Sequence, residues 1–102
     1  MAIIYGYTPT HPGEVLKEEI EYRHLSQKAL ASQIGMSYKV LNDILNARRP
    51  LTTETAMRIE AALDIPADSL LHLQMKYNMQ TARKDSSLLS VLERIRQSAA
   101  VL

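Results

Sequence analysis

Residues 27–46 read QKALASQIGMSYKVLNDILN, and the order of residue types in this stretch decides the fold. Ala31 is small enough to let two helices cross closely, and Gly35 stands where the chain must turn with positive φ. Leu41, Ile44 and Leu45 fall at helical spacing and supply the buried face of a second helix. The residues left over on that helix, Tyr38, Lys39, Asn42, Asp43 and Asn46, form an outward stripe. Both helices carry start signals: Ser26 caps the first, straddled by Leu25 and Leu30, and Ser37 caps the second, straddled by Met36 and Leu41. Only Met36 and Ser37 separate Gly35 from the second helix, so the connection is a tight turn. Small, turning and branched residues at these spacings describe any packed helical pair. A polar outward stripe in addition is what a recognition helix presents to base edges in the major groove.

Outward from this pair the chain reads as all-α. Pro12 suits the first turn of a helix running to Tyr22, with Val15, Leu16 and Ile20 inward. After a loop over residues 46–51 that contains Pro50, Thr52 caps a fourth helix with Ala56, Ile59 and Leu63 at helical spacing, which Asp64, Ile65 and Pro66 interrupt. A fifth helix from Ala67 to Gln80 carries Leu70, Leu73 and Tyr77 on one stripe, widened by Leu71 and Met75. Beyond a polar segment, Leu88, Leu92, Ile95 and Ala99 mark a C-terminal amphipathic helix that needs a partner. The expected organisation is an N-terminal arm over residues 1–10, a helix-turn-helix domain over 11–83 and a helical extension over 84–102. The Ile3 to Tyr7 segment reads as a short added strand or a binding arm.

The chain has 102 residues, enough for one domain with a core that needs no staples. It has no cysteine, which rules out disulfides and thiolate metal sites. Ile3 and Ile4 are too few and too soon interrupted for a signal peptide, and no apolar run reaches membrane-spanning length, so a soluble, intracellular protein is expected. The three histidines, His11, His24 and His72, fall on different elements without paired-ligand spacing. Capping or packing suits His11, and packing beside leucines suits His72. With no glycine-rich phosphate loop, neither a nucleotide site nor a nucleophilic one is supported, and no cofactor, metal or catalytic residue is expected.

The net charge of +1 is small for a nucleic-acid binder, so placement matters more than the sum. Glu14, Glu18, Glu19 and Glu21 gather on the first helix, whereas Lys28, Lys39, Arg48 and Arg49 lie in or beside the central pair. Such an acidic back and basic front orient a domain on DNA, though the glutamates also read as a solvated helix face. Ser26, Gln27 and Lys28 stand at a helix N-terminus suited to receiving a phosphate. Ser37, Tyr38 and Lys39 begin the recognition helix, Asn42 has the groups to read adenine, and Asp43 those to accept from cytosine. Asn46, Arg48 and Arg49 close the surface on the backbone side.

Five stretches carry a wider pattern: HPGEVLKEEI (11–20), LSQKALASQIGM (25–36), LNDILNARRPLT (41–52), TAMRIEAALDI (55–65) and LLHLQMKYNMQTAR (70–83). Together they resemble the HigA-type antitoxin branch of the phage-repressor-like (XRE) helix-turn-helix family, over about seven-tenths of the chain and without a gap. The resemblance implies a five-helix, lambda-repressor-like domain in a small cytoplasmic protein. It further implies a homodimer that represses its own operon and neutralises a small basic toxin that cleaves messenger RNA. The chain departs from the pattern at Ser69 and Leu70, where an aromatic pair is frequent, at Ala47 and Pro50, where glycine is frequent, and at Tyr38 and Val40, which replace arginines. The operator sequence therefore does not carry over.

A palindromic operator calls for a two-fold dimer, and Leu88, Leu92 and Ile95 are the candidate contacts. Two other readings share the fold: a stand-alone repressor without a toxin, and a protein-interaction module that binds DNA weakly.

Overall fold

The computed structural model describes residues 10–101, and the Ile3 to Tyr7 segment lies outside them. Six helices follow one another among the described residues: α1 (Pro12–Tyr22), α2 (Gln27–Ile34), α3 (Tyr38–Leu45), α4 (Thr53–Leu63), α5 (Ala67–Ala82) and α6 (Ser86–Ala99). The first five pack around one core, with α3 against α1 and α2, α4 against α2 and α5, and α1 against α5. Leu16, Ile20, Leu30, Leu41, Ile44, Leu45, Ile59 and Leu70 fill it, each at most 3% exposed. Burial of a side chain this size stabilises by about 1.5–3 kcal/mol, so this cluster supplies most of the driving force for folding.

The caps fall where the hydroxyl residues stand. Ser26 accepts from Ala29 N, Ser37 from Val40 N and Thr52 from Thr55 N. Gly35 ends α2 with φ 73°, and its N–H and that of Met36 return to the last turn. Arg58 of α4 seals this end by donating to the carbonyls of Ile34 (2.7 Å) and Gly35 (3.3 Å). Leu25 stays exposed, so the apolar pair straddling Ser26 is not fully buried.

The start of α1 is held by a capping box and by a close backbone contact. His11 is its N-cap: Nδ1 accepts from Gly13 N at 2.9 Å, while Glu14 reaches back to accept from His11 N at 3.0 Å, a reciprocal capping box. Pro12 occupies the first helical position. Gly13 is buried against α3 so closely that a Cβ built there would collide with the Ile44 carbonyl oxygen. The glycine is therefore required by helix contact and not by φ.

Four sequence expectations change. Val15 is 37% exposed, because the inward face of α1 runs through Gly13, Leu16 and Ile20. On α5 the buried line is Ala67, Leu70 and Gln74; Leu73 and Tyr77 are only half-buried and Met75 is exposed. His72 is exposed and packs into no core. The polar segment after α5 is shorter than expected, since α5 runs on to Ala82 and α6 begins at Ser86.

A Gly13→Ala substitution is expected to force α1 and α3 apart and cost about 1–3 kcal/mol, the range for overpacking a tight contact. Chemical denaturation of the two proteins measures it, and equal midpoints would show that the contact has slack.

Candidate nucleic-acid interface

Two helix N-termini and the outward side of α3 meet on one surface. At the start of α2, Gln27 Oε1 accepts from Asn42 Nδ2 of α3 at 3.0 Å, and Lys28 Nζ sits 5.5 Å from the centre of the Tyr38 ring. The first N–H groups of α2 lie outside its own hydrogen-bond ladder, which makes this end suited to an anion. Ser37, Tyr38 and Lys39 at the start of α3 are exposed, as are Ser26, Lys28, Arg48 and Arg49. The candidate residues of α2 and α3 thus share a face, and the loop after α3 joins it through Arg48.

Asp43 does not belong to the exposed stripe. It is 8% exposed and gathers three cations: Lys39 Nζ lies 3.2 Å from Oδ2, Arg48 Nε 3.1 Å from Oδ1 and Arg49 Nη2 3.6 Å from Oδ2. The chain turns sharply after α3, with Arg48 N donating to the Asp43 carbonyl, and that turn brings the arginines back over the helix. The hydrogen bond from Lys39 holds the Asp43 carboxyl below its ordinary value, partial burial opposes this, and the bond from Arg48 adds to the lowering. An anionic Asp43 so engaged is not free to accept from cytosine without giving up a cation.

Asn42 and Asn46 are also engaged. Arg48 Nη2 donates to Asn42 Oδ1 at 2.9 Å. Asn46 Nδ2 donates to the Asn42 carbonyl at 2.8 Å, and its Oδ1 accepts from Lys17 of α1 at 3.0 Å. Asn46 therefore ties α1 to the end of α3.

Three supports of this surface stand outside the residues expected to form it. Gln74 is buried on α5, where Oε1 accepts from Leu51 N at 2.8 Å and Nε2 donates to Asn78, fixing the far end of the loop that carries the arginines. A lone Gln between Leu73 and Met75 gave no reason to expect it inside. Ala47 adopts φ 59°, the left-handed region where a Cβ is strained. The departure from the resembled pattern at Ala47 was the one available hint. His11, expected to cap or to pack, is the third: it caps α1 and its ring stacks edge-on against Tyr77 of α5 at 4.9 Å.

Burial pushes the His11 imidazole below its ordinary value of 6.5, while the Glu14 carboxylate and the Arg49 backbone pull the other way. The native state thus favours the neutral ring, whose Nδ1 must stay unprotonated to receive Gly13. The unfolded chain takes up this proton first, so the stability is full above about pH 6.5 and is lost as pH falls through that value towards the folded one. The melting temperature is expected to drop between about pH 7 and pH 5, and His11→Asn, which keeps a capping acceptor, should flatten that slope. A slope surviving in the variant would assign it to other groups.

Residues 16–70 match a family described as helix-turn-helix. Virulence-associated protein I of Dichelobacter nodosus is 32% identical over 83 residues, covering 80% of this chain and 77% of that protein. Among solved structures, the antitoxin GraA superposes with a TM-score of 0.73 at 34% identity, over 78% of this chain and 86% of that one. The antitoxin HigA of Pseudomonas aeruginosa, solved with the higBA promoter, superposes with a TM-score of 0.69 at 33% identity, over 72% and 82% of the two chains.

Proposed function

The chain belongs to the helix-turn-helix family, and from that premise we propose that it is a sequence-specific DNA-binding repressor of the HigA antitoxin type. In this reading α1 to α5 form a lambda-repressor-like domain over residues 11–83, preceded by an arm over 1–10 and followed by a helical extension over 84–102. The domain binds the promoter of its own operon in the cytoplasm and neutralises a co-encoded, small basic toxin that cleaves messenger RNA. One observation carries the DNA reading: the Gln27–Asn42 bond puts the anion-receiving end of α2 and the outward side of α3 on a single surface. A second comes from a similar protein, the 33%-identical HigA solved with promoter DNA.

The roles divide by chemistry. Ser26, Gln27 and Lys28 meet a phosphate at the start of α2, with Arg49 on the backbone side. Ser37, Tyr38 and Lys39 enter the groove first, and Asn42 reads a base. Asn46 orients α3 from α1. Asp43 touches no base and instead holds Lys39 and Arg48.

Mobility shift with the region upstream of the gene, at two salt concentrations and against competitor DNA, tests the reading. Competitor-resistant binding is expected, and binding that competitor removes would refute an operator-reading repressor. Lys28→Ala should weaken operator and unrelated DNA alike and lower the salt slope by about one. An unchanged slope would take Lys28 off the phosphate.

The dimer belongs to α6. Asp85 caps it, accepting from Ser87 N and Leu88 N, and none of its residues is buried, which leaves Leu88 37% and Ile95 56% exposed with Leu92 between them. These three residues recur at helical spacing and form the face that a second copy covers. Replacing Leu88 and Ile95 together by Glu should give a monomer by sedimentation at low micromolar concentration, with the fold of α1 to α5 retained. A pair variant that remains dimeric would move the contact elsewhere.

A further inference from the structure

We propose that Asp43 sets sequence discrimination on this surface, acting through Arg48 to hold the Asn42 carboxamide in its base-reading orientation; the inference rests on the DNA-reading role proposed above. Four side chains form a relay across three elements. Asp43 Oδ1 accepts from Arg48 Nε at 3.1 Å, Arg48 Nη2 donates to Asn42 Oδ1 at 2.9 Å, and Asn42 Nδ2 donates to Gln27 Oε1 at 3.0 Å. Each end of the Asn42 amide is thereby used once. A carboxamide has two N–H donors and two acceptor lone pairs, so one donor and one acceptor are left. That remainder is what the major-groove edge of adenine requires, an acceptor for N6–H and a donor for N7. The relay also fixes which end of the amide is which, because an exchanged amide would set its NH2 against the guanidinium and its oxygen against Gln27 Oε1.

The anchor is Asp43 because it alone among the four is buried. Its side chain is 11% exposed, against 58% for Arg48, so the carboxylate is held by packing while the guanidinium borrows its position from it. A long arginine side chain freed of that anchor regains its rotamers, and holding it becomes an entropic cost of binding. The same carboxylate pairs with Lys39 and Arg49 and so cancels one of three positive charges. Attraction to any phosphate falls while the contact to one base is prepared. Both effects raise the ratio of specific to non-specific binding. Arg48 is then a positioning residue rather than simply a phosphate ligand, and Asp43 positions it in turn.

The test measures affinity of the full-length protein for its operator, for operators altered at single A·T pairs and for unrelated DNA. Asp43→Asn should bind unrelated DNA a few fold tighter and lower the operator preference roughly tenfold. Adding Asn42→Ala to Asp43→Asn should cost less than about twofold more preference, because the two act as one unit. Arg48→Lys keeps the charge but cannot bridge Asp43 and Asn42 as a fork, so it should lose preference with its salt slope intact. Arg48 is on the surface, which keeps this arm readable if Asp43→Asn does not fold. Full preference in Asp43→Asn or in Arg48→Lys, or losses from Asp43→Asn and Asn42→Ala that multiply independently, would overturn the inference while leaving the repressor intact. A wild-type protein with no operator preference would remove both.

Discussion

The first turn of α1 is pressed onto the backbone of α3, and the position of the recognition helix depends on that contact. Side-chain packing alone leaves two helices some freedom to slide, because leucines repack at modest cost. A glycine backbone against the Ile44 carbonyl leaves none. His11 extends the restraint in two directions: through Gly13 to α3 and through Tyr77 to α5. Gln74 of α5 fixes the far end of the loop behind α3 at Leu51. The surface is thus carried by a frame made of backbone contacts and buried polar bonds, which are stiffer and more directional than apolar burial.

This frame explains how a chain with a net charge of only +1 can present a DNA-reading surface. Strongly basic domains draw much of their affinity from counterion release, which does not depend on sequence. Here three of the cations beside α3 share one buried carboxylate, so the electrostatic contribution is muted and geometry has more to decide. Lys28 stays outside the cluster, against the Tyr38 ring, and remains available to a phosphate at the start of α2. Charge and orientation are therefore handled by different residues.

The helices were legible because their signals are local. Ser26, Ser37 and Thr52 cap the helices they precede, and Gly35 has the φ that its place in the turn demands. The core of α2, α3 and α4 follows from periodicity. What the sequence hid are contacts between distant positions. Asp43 lies on the polar side of α3 by spacing alone, and only the return of the chain over the helix covers it with arginines. Gln74 is inside because a loop N–H from Leu51 needs an acceptor there, 23 residues away. Val15 fails for a related reason: the approach of Gly13 to α3 rotates α1 so that Leu16 and Ile20 face the core and Val15 does not. Periodicity finds an apolar face, but a close backbone contact decides its angle.

The extension α6 obeys a different balance. At 14 residues it is about the length at which an isolated helix is marginal in water, and the cap at Asp85 adds only about 1 kcal/mol. No residue of it is buried, so burial of Leu88, Leu92 and Ile95 by another surface would be its main source of stability. Two recognition helices about 34 Å apart must be held at a fixed spacing to read a palindrome, and a surface outside the five-helix core can do this without disturbing α3. In the proposed dimer, the order of α6, dimerisation and operator affinity become one linked equilibrium. Operator occupancy would rise with protein concentration more steeply than single-site binding allows, and a partner that captured α6 would lower it without touching the DNA-reading face.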